Sequence, residues 1–410
     1  MAENKPNEFW IEQLKQKREK INQISPSFCS AKWLQTTLYL QNGYNHSCHH
    51  PSPHKIPVEE VLENPAALHN SKYKKQQRIK MLNGERPKEC DYCWRIEDQG
   101  KGHFSDRHYK TADWWSWDKV DVIATDNPTK DVYPTYLEVS FSNACNFACA
   151  YCSPEISSEW MKDIEKNGDY PVEFGSGNLD YLKSVEKFPY KHSDPNPYVD
   201  AFWKWFPEAL PHLRVFRITG GEPTMSKDVW KVIDYIYDNA QPELSIAINS
   251  NLGTDPRLIQ RLVDACNKLK DKVKQIEIYT SCEATGEQAE YIRDGLDYDY
   301  WRGNVEKVLS ETDANVAMMT TLNILSMTTF ENFIEDIMQL RIKYNKDLAN
   351  NRIPLSINYL RFPPHLQCTL LDRNTRISYA SDYELTAKIW LKYNSPDKFA
   401  RIYLEEYDQI

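Results

Sequence analysis

Three cysteines fall within one eight-residue run, Cys145-Asn146-Phe147-Ala148-Cys149-Ala150-Tyr151-Cys152, spaced C-x3-C-x2-C. Thiolate is a soft ligand that selects zinc, copper(I) or iron–sulfur. A structural zinc site closes with four protein ligands. This run supplies three, enough to wrap one face of a cubane 4Fe-4S cluster and leave one iron open for chemistry. A second group lies upstream: Cys29, Cys48, Cys90 and Cys93, reading C-x13-G-x4-C around Gly43 and then C-x2-C after 41 intervening residues. Four thiolates complete the coordination of a second cluster or of one zinc ion. His49, His50 and His54 are familiar zinc ligands close by, but four cysteines suffice without them. Pro51 and Pro53 keep His50 and His54 off a common helix face, so both are expected in loops or as donors behind the ligands.

Further polar groups recur where short apolar runs stop. Thr219-Gly220-Gly221-Glu222-Pro223 places two adjacent glycines where a backbone can approach a ligand closely, with a carboxylate beside them able to accept from an ammonium group. Asn249-Ser250-Asn251 ends the next run. Ser281 and Glu283 end another, Arg293 follows ten residues after Glu283, and Asn323 ends the fifth. A guanidinium suits a carboxylate through two parallel hydrogen bonds. Each has a plainer reading: a Gly-Gly turn, a solvated arginine, an asparagine in a turn. Cys266, mid-helix, and Cys282, alternating away from its neighbours, read as packing thiols. Cys368, just past the sixth run, is either a buried thiol or a group at the mouth of the fold.

The elements that must carry these groups follow from periodicity. Short β-branched runs at Thr135–Phe141, Arg214–Thr219, Leu244–Asn249, Gln275–Thr280, Asn315–Leu322 and Leu355–Leu360 alternate with helical patterns near 154–166, 227–239, 256–270, 303–312 and 329–346. A last helix fits 382–393. Strands separated by helices imply parallel pairing and right-handed crossovers. The expected class is α/β, a partial (β/α)6 TIM-like barrel preceded by a small, mostly irregular and helical metal-cluster domain. The expected divisions are an N-terminal helix (1–24), the cysteine domain (25–110), a Trp-rich connector (111–133), the barrel (134–365) and a C-terminal helical extension (366–410). Residues 57–83 read as one helix ending at Gly84, and 168–197 as an irregular insertion. Trp94, Trp114, Trp115 and Trp117 read as packing, or as a surface for a substrate ring or peptide.

Composition narrows the class. Across 410 residues, 41% are hydrophobic and 27% charged, which fits a globular chain. Ten cysteines are too sparse for a disulfide scaffold. There is no apolar run of membrane-spanning length and no export signal in the polar N-terminus, so a reducing cytoplasm and no membrane partner are expected. A net charge of −9 argues against a nucleic-acid partner.

The C-x3-C-x2-C run, with Tyr151 before its last cysteine and a strand before the run, resembles the signature of the radical S-adenosylmethionine (SAM) superfamily. Gly220-Gly221-Glu222-Pro223, about 70 residues on and directly after a strand, resembles that family's GGEP motif. The resemblance implies that Cys145, Cys149 and Cys152 ligate the catalytic 4Fe-4S cluster, and that Tyr151 and Gly220–Pro223 lie at the cofactor, the latter holding the SAM amino group. Asn249, Ser250, Ser281, Glu283 and Arg293 would contact its ribose and carboxylate, and Asn323 would contact the ligand. The four upstream cysteines resemble the SPASM/twitch auxiliary-cluster module, which follows the barrel in most relatives and precedes it here. It implies a second, auxiliary 4Fe-4S cluster, with structural zinc as the alternative. The implied chemistry is reductive cleavage of SAM to methionine and a 5′-deoxyadenosyl radical, which abstracts a hydrogen atom from substrate. An external electron donor such as flavodoxin or ferredoxin is implied with it. A peptide or protein side chain is the first expectation for the substrate, and a small molecule or nucleotide the second. A non-enzymatic zinc-binding interaction protein is a remote third.

Overall fold

The structure is a computed structural model that describes residues 5–100, 102–170, 177–191, 194–345 and 351–381. Within these, eleven strands follow in chain order: β1 Gln35–Tyr39, β2 Tyr44–His46, β3 His54–Lys55, β4 Tyr136–Ser140, β5 Ala148–Cys149, β6 Val215–Thr219, β7 Gln241–Asn249, β8 Val273–Ser281, β9 Arg293–Asp294, β10 Asn315–Leu322 and β11 Leu355–Tyr359. The six strands expected from the alternation of apolar runs are β4, β6, β7, β8, β10 and β11. The fold is mixed α/β with parallel strands, and strand and helix alternate along the chain as a partial (β/α)6 fold requires. The chain packs as two compact units, Met1–Ser142 with Glu186–Ile218, and Asn143–Val185 with Thr219–Ile410.

In the first unit the strand order is β6-β4-β1-β2-β3. β1 runs parallel to β4 in the register Thr37 to Glu138, and β2 returns antiparallel with His46 opposite Thr37. This corrects the expectation of a mostly irregular and helical cysteine domain, which carries sheet strands as well. Gln-Thr-Thr-Leu-Tyr carries little apolar periodicity, and its strand state comes from pairing with a segment about a hundred residues away. The single helix expected over 57–83 is three: Val58–Glu63, Ala67–Asn70 and Lys72–Leu82. Asn64 is extended before Pro65, the conformation a following proline enforces, and the Ser71 hydroxyl caps the third helix by accepting from Lys74 N. Gly84, at φ +80°, ends it. The helix Asp106–Ala112 runs across the expected start of the connector, and Val120–Thr125 is a helix within it. Packing does not divide at 110 or 133. Ile21, Phe28, Trp33, Met81, Trp94 and Trp115 form one buried core, with Cys29, Cys48 and Cys90 packed against its edge. Trp94 and Trp115 therefore serve packing, while Trp114 is exposed.

In the second unit β7, β8, β10 and β11 lie side by side, parallel, with β8 between β7 and β10. Helix Pro256–Leu269 shows how the sequence builds a layer. Asp255 caps its start by accepting from Arg257 N, proline occupies the first turn, and Ile259, Leu262, Val263, Cys266 and Leu269 fall on one buried face. Part of the expected irregular stretch 168–197 is helical, at Leu179–Ser184, and the aromatic helix Pro197–Ala209 follows it. The helix expected at 382–393 lies outside the described residues. No helix among them is long and apolar enough to cross a membrane.

Candidate active site

Every group expected at the three-cysteine site belongs to the second unit. The loop after β4 is seated backbone atom by backbone atom. Ser158 Oγ donates to the Cys145 carbonyl at 3.0 Å and accepts from Cys145 N at 3.1 Å. Ser157 Oγ donates to the Phe147 carbonyl at 2.6 Å while capping the helix Ser158–Asn167, and Trp160 Nε1 donates to the Cys149 carbonyl at 2.8 Å. Across the loop, β5 pairs antiparallel with β9, setting Cys149 opposite Arg293.

Two glycines admit this packing. A Cβ on Gly221 would overlap the Ala144 carbonyl oxygen, which accepts from Glu222 N at 2.6 Å. Gly295, at φ +102°, has the Asn146 carbonyl oxygen 2.7 Å from where its Cβ would stand. The loop is thus closed in by backbone on two sides, where no side chain fits.

Glu222 is fully buried, and all its acceptors face the protein. Oε1 takes Thr224 N at 3.0 Å, Thr224 Oγ1 at 2.7 Å and Ser250 Oγ at 3.0 Å, and Oε2 takes Asn251 N at 2.6 Å. The carboxylate therefore ties the Gly-Gly turn to the Asn249–Asn251 turn. Burial raises its pKa, opposed by those hydrogen bonds. Asn251 continues the chain of contacts to Asn146 Oδ1 at 2.9 Å, and Asn146 Nδ2 reaches the Gly253 carbonyl at 2.9 Å.

Arg293, Glu283 and Tyr151 form one buried constellation. Arg293 Nη2 lies 2.6 Å from Glu283 Oε2 and Nε 3.2 Å from Oε1, while the Tyr151 hydroxyl donates to both carboxylate oxygens at 3.1 Å and receives Arg293 Nη2. Arg293 Nη1 stands 3.8 Å from Cys149 Sγ. Burial disfavours the guanidinium charge, but Glu283, Tyr151 and Cys149 together hold its pKa well above the ordinary value. The solvated-residue reading of Arg293 is thereby excluded. The cysteines respond to burial in the same sense, with the Cys145 and Cys152 thiols pushed up to about 12. Cys149 is also raised, with Arg293 pulling the other way.

The remaining expected residues sit at strand ends with other partners. Gly220 and Pro223 flank the turn after β6, and Asn249 and Ser281 are half-buried at the ends of β7 and β8. Asn323 is buried and shapes the turn after β10, donating to the Thr321 carbonyl at 2.8 Å and accepting from Leu325 N at 3.0 Å. Cys282 donates to the Ala284 carbonyl, and Cys368 Sγ lies 3.6 Å from Met327 Sδ. Ser158, Trp160, Asn146 and Gly295 escaped the sequence reading. Ser157 carried a usable signal, a serine immediately before a helical pattern.

In the first unit Cys29, Cys48, Cys90 and Cys93 line one small cavity with Trp94 and Arg107. His50 also lines it, its Nε2 2.5 Å from Asp106 Oδ2 and its ring stacked on Tyr92 at 3.7 Å. Burial pushes Cys48 to about 12 and Cys90 to about 11. Among the described residues no three His, Cys, Asp or Glu side chains are drawn up around a single-ion site. The donor sets themselves, three thiols on one clamped loop and four thiols on one cavity, suit sulfur-ligated clusters.

Fold and site define a class first: an α/β domain of parallel strands whose first strand leads into a three-thiol loop braced by a buried arginine. Residues 139–337 match the Radical SAM superfamily, so the chain carries a radical SAM domain. Among curated proteins, GTP 3′,8-cyclase of Sulfurimonas denitrificans is 30% identical over 130 residues, covering 32% of this chain and 31% of the cyclase. That of Pectobacterium atrosepticum is 25% identical over 202 residues, 49% of this chain and 51% of the cyclase. The chain thus spans between about a third and a half of the length of these relatives. Among solved structures, Streptococcus suis SuiB bound to S-adenosylmethionine aligns at 11% identity and TM-score 0.39, over 90% of this chain and 73% of SuiB. SuiB bound to its precursor peptide SuiA aligns at 11% identity and TM-score 0.38, over 87% and 70%.

Proposed function

We propose that the chain is a radical SAM enzyme in which Cys145, Cys149 and Cys152 hold a 4Fe-4S cluster with SAM beside it. The observation that carries this reading is the clamped loop with Cys149 paired to Arg293. When bound, the cluster and SAM would supply reductive cleavage to a carbon radical able to abstract hydrogen. The chain's own residues do the positioning. Ser158, Trp160, Gly221 and Gly295 fix the loop backbone, so three thiols are presented without reorganisation. Arg293, held by Glu283 and Tyr151, offers a guanidinium beside Cys149 that would favour the thiolate and a nearby carboxylate. Glu222 supports the turn whose backbone carbonyls are left to meet an ammonium group. Cys29, Cys48, Cys90 and Cys93 hold a second, auxiliary cluster in this reading, fed in a reducing cytoplasm by a small electron donor protein.

Anaerobic reconstitution should load about eight irons per chain, four for each sulfur-ligated cluster. SAM with dithionite should then release 5′-deoxyadenosine, and Cys149→Ala should stop it. Release persisting in that variant would sink the assignment. For the substrate, a peptide or protein side chain is the first reading, supported by the four-cysteine module's resemblance to those of peptide-modifying enzymes. A nucleotide is the second, favoured by the sequence similarity to the GTP cyclases. Incubation with GTP, followed by mass spectrometry of a nucleotide product, separates the two.

A further inference from the structure

Two buried ion pairs stand close to the four cysteines, one joining their segments and one reaching the cavity itself. Lys32, three residues after Cys29, donates from Nζ to Glu89 Oε1, and its side chain is 2% exposed against 9% for the carboxylate. Glu89 immediately precedes Cys90 and is braced by the Tyr73 hydroxyl, 2.9 Å from Oε2. Arg107 lines the cavity itself. It grips Glu97 with Nε 2.8 Å from Oε1 and Nη2 2.7 Å from Oε2, and its Nη1 donates to the Phe28 carbonyl, next to Cys29, at 3.0 Å.

Buried pairs of this kind add little stability over well-packed apolar side chains, because desolvation offsets their attraction. An apolar pair would supply no field, whereas a buried ammonium does. Lys32 stands three residues after Cys29 and its partner Glu89 immediately before Cys90, so this buried pair joins the segments that carry two of the four thiols. A four-thiolate cluster is anionic and gains a further negative charge on reduction, so a nearby fixed cation favours the reduced form. Net charge and hydrogen bonds to sulfur are among the main levers on cluster potential.

We infer that Lys32, oriented by Glu89, is a positioning cation that sets the reduction potential of a cluster held by Cys29, Cys48, Cys90 and Cys93. This rests on the proposed second cluster. The test uses the full chain with Cys145, Cys149 and Cys152 changed to Ala, so that any remaining iron belongs to the second site, and follows reduction by electron paramagnetic resonance in a potentiometric titration. At the parent's midpoint, Lys32→Met should lower the ratio of reduced to oxidised cluster on the order of tenfold, as expected for removing one unit charge nearby. Glu89→Gln should raise the ratio, because it leaves the ammonium uncompensated. Lys32→Arg should stay within about twofold of the parent, the charge being kept. Opposite signs are what a merely structural pair would not produce. Potentials that stay put, or move the same way in both variants, overturn the inference. If Lys32→Met does not fold, the sign of Glu89→Gln decides. A parent that loads no iron removes the second cluster and this inference together. A loaded cluster indifferent to both substitutions removes only the role of Lys32.

Discussion

The three cysteines of the second unit ride on a single loop whose backbone is held by serine hydroxyls, an indole and close-packed glycines. The four cysteines of the first unit come from separate segments, before β1, after β2 and at the start of the helix Asp91–Glu97. They meet only because a core of Phe28, Trp33, Met81 and Trp94 brings those segments together. The loop site is a local object with long-range braces, whereas the cavity site is assembled by the fold of its unit. Their charge environments differ too. One arginine shared with Glu283 and Tyr151 serves the loop, whereas the four-cysteine segments carry two separate pairs, Lys32 with Glu89 and Arg107 with Glu97.

Deleting one thiol from each site should have the largest effect. Cys149→Ala should reduce 5′-deoxyadenosine release to background while the second site keeps about four irons, the content of one sulfur-ligated cluster. Cys90→Ala should lose second-site iron and leave the first site loaded. Iron assay and cluster absorbance check both.

Acid should separate the units next. Among the described residues, His365 is the only histidine outside the first unit. Within that unit, burial chiefly lowers the His108 pKa from 6.5 to about 4 and the His54 pKa to about 3, so both are held neutral. A depressed folded pKa means the contribution is complete above pH 6.5 and is lost as pH falls toward 4. By pH 5 the loss should be about 2 kcal/mol for each of the two. Urea melts of the apoprotein at pH 7 and pH 5, followed by tryptophan fluorescence, should show it. A stability that does not fall with pH would remove the buried-imidazole account.

Gly221→Ala is the corresponding lesion in the second unit. Driving a Cβ into the Ala144 carbonyl should cost about 1–3 kcal/mol, lower first-site iron and spare the second site. Equal iron loss from both sites would show that they are not separately held. The smallest effect is expected from Cys266→Ala. That thiol packs on the buried face of helix Pro256–Leu269 and belongs to neither thiol set, so the change should cost about 1 kcal/mol in thermal melts, with iron content unchanged.

Much of the alternating strand and helix pattern was legible in advance. Six apolar runs became six strands, β4 and β6 in the first unit and β7, β8, β10 and β11 in the second, and Cys145, Gly221 and Glu283 stand at strand ends, because each run carries its own periodicity. Arg293 was ambiguous: sequence placed it ten residues past Glu283, and only the β5–β9 pairing buried it against that carboxylate and Cys149. Glu222 was expected to face an ammonium group, and the structure shows its carboxylate fully engaged by Thr224, Ser250 and Asn251. The strands β1 and β2 were not legible, since Gln35, Thr36 and Thr37 are polar and are buried only by neighbours distant in sequence.

By itself the sequence determined the two thiol sets, their spacing and the alternation of strand and helix. These are properties of short windows, where ligand type and hydrophobic period act over a few residues. Tertiary structure decided which charges lie against the thiols. Lys32 and Glu89 are 57 residues apart and Tyr151 and Arg293 are 142 apart, and nothing in a local window marks such a pairing. A buried charge acquires its partner only when the chain closes around both, and the low-dielectric surroundings that make the pairing matter exist only after folding.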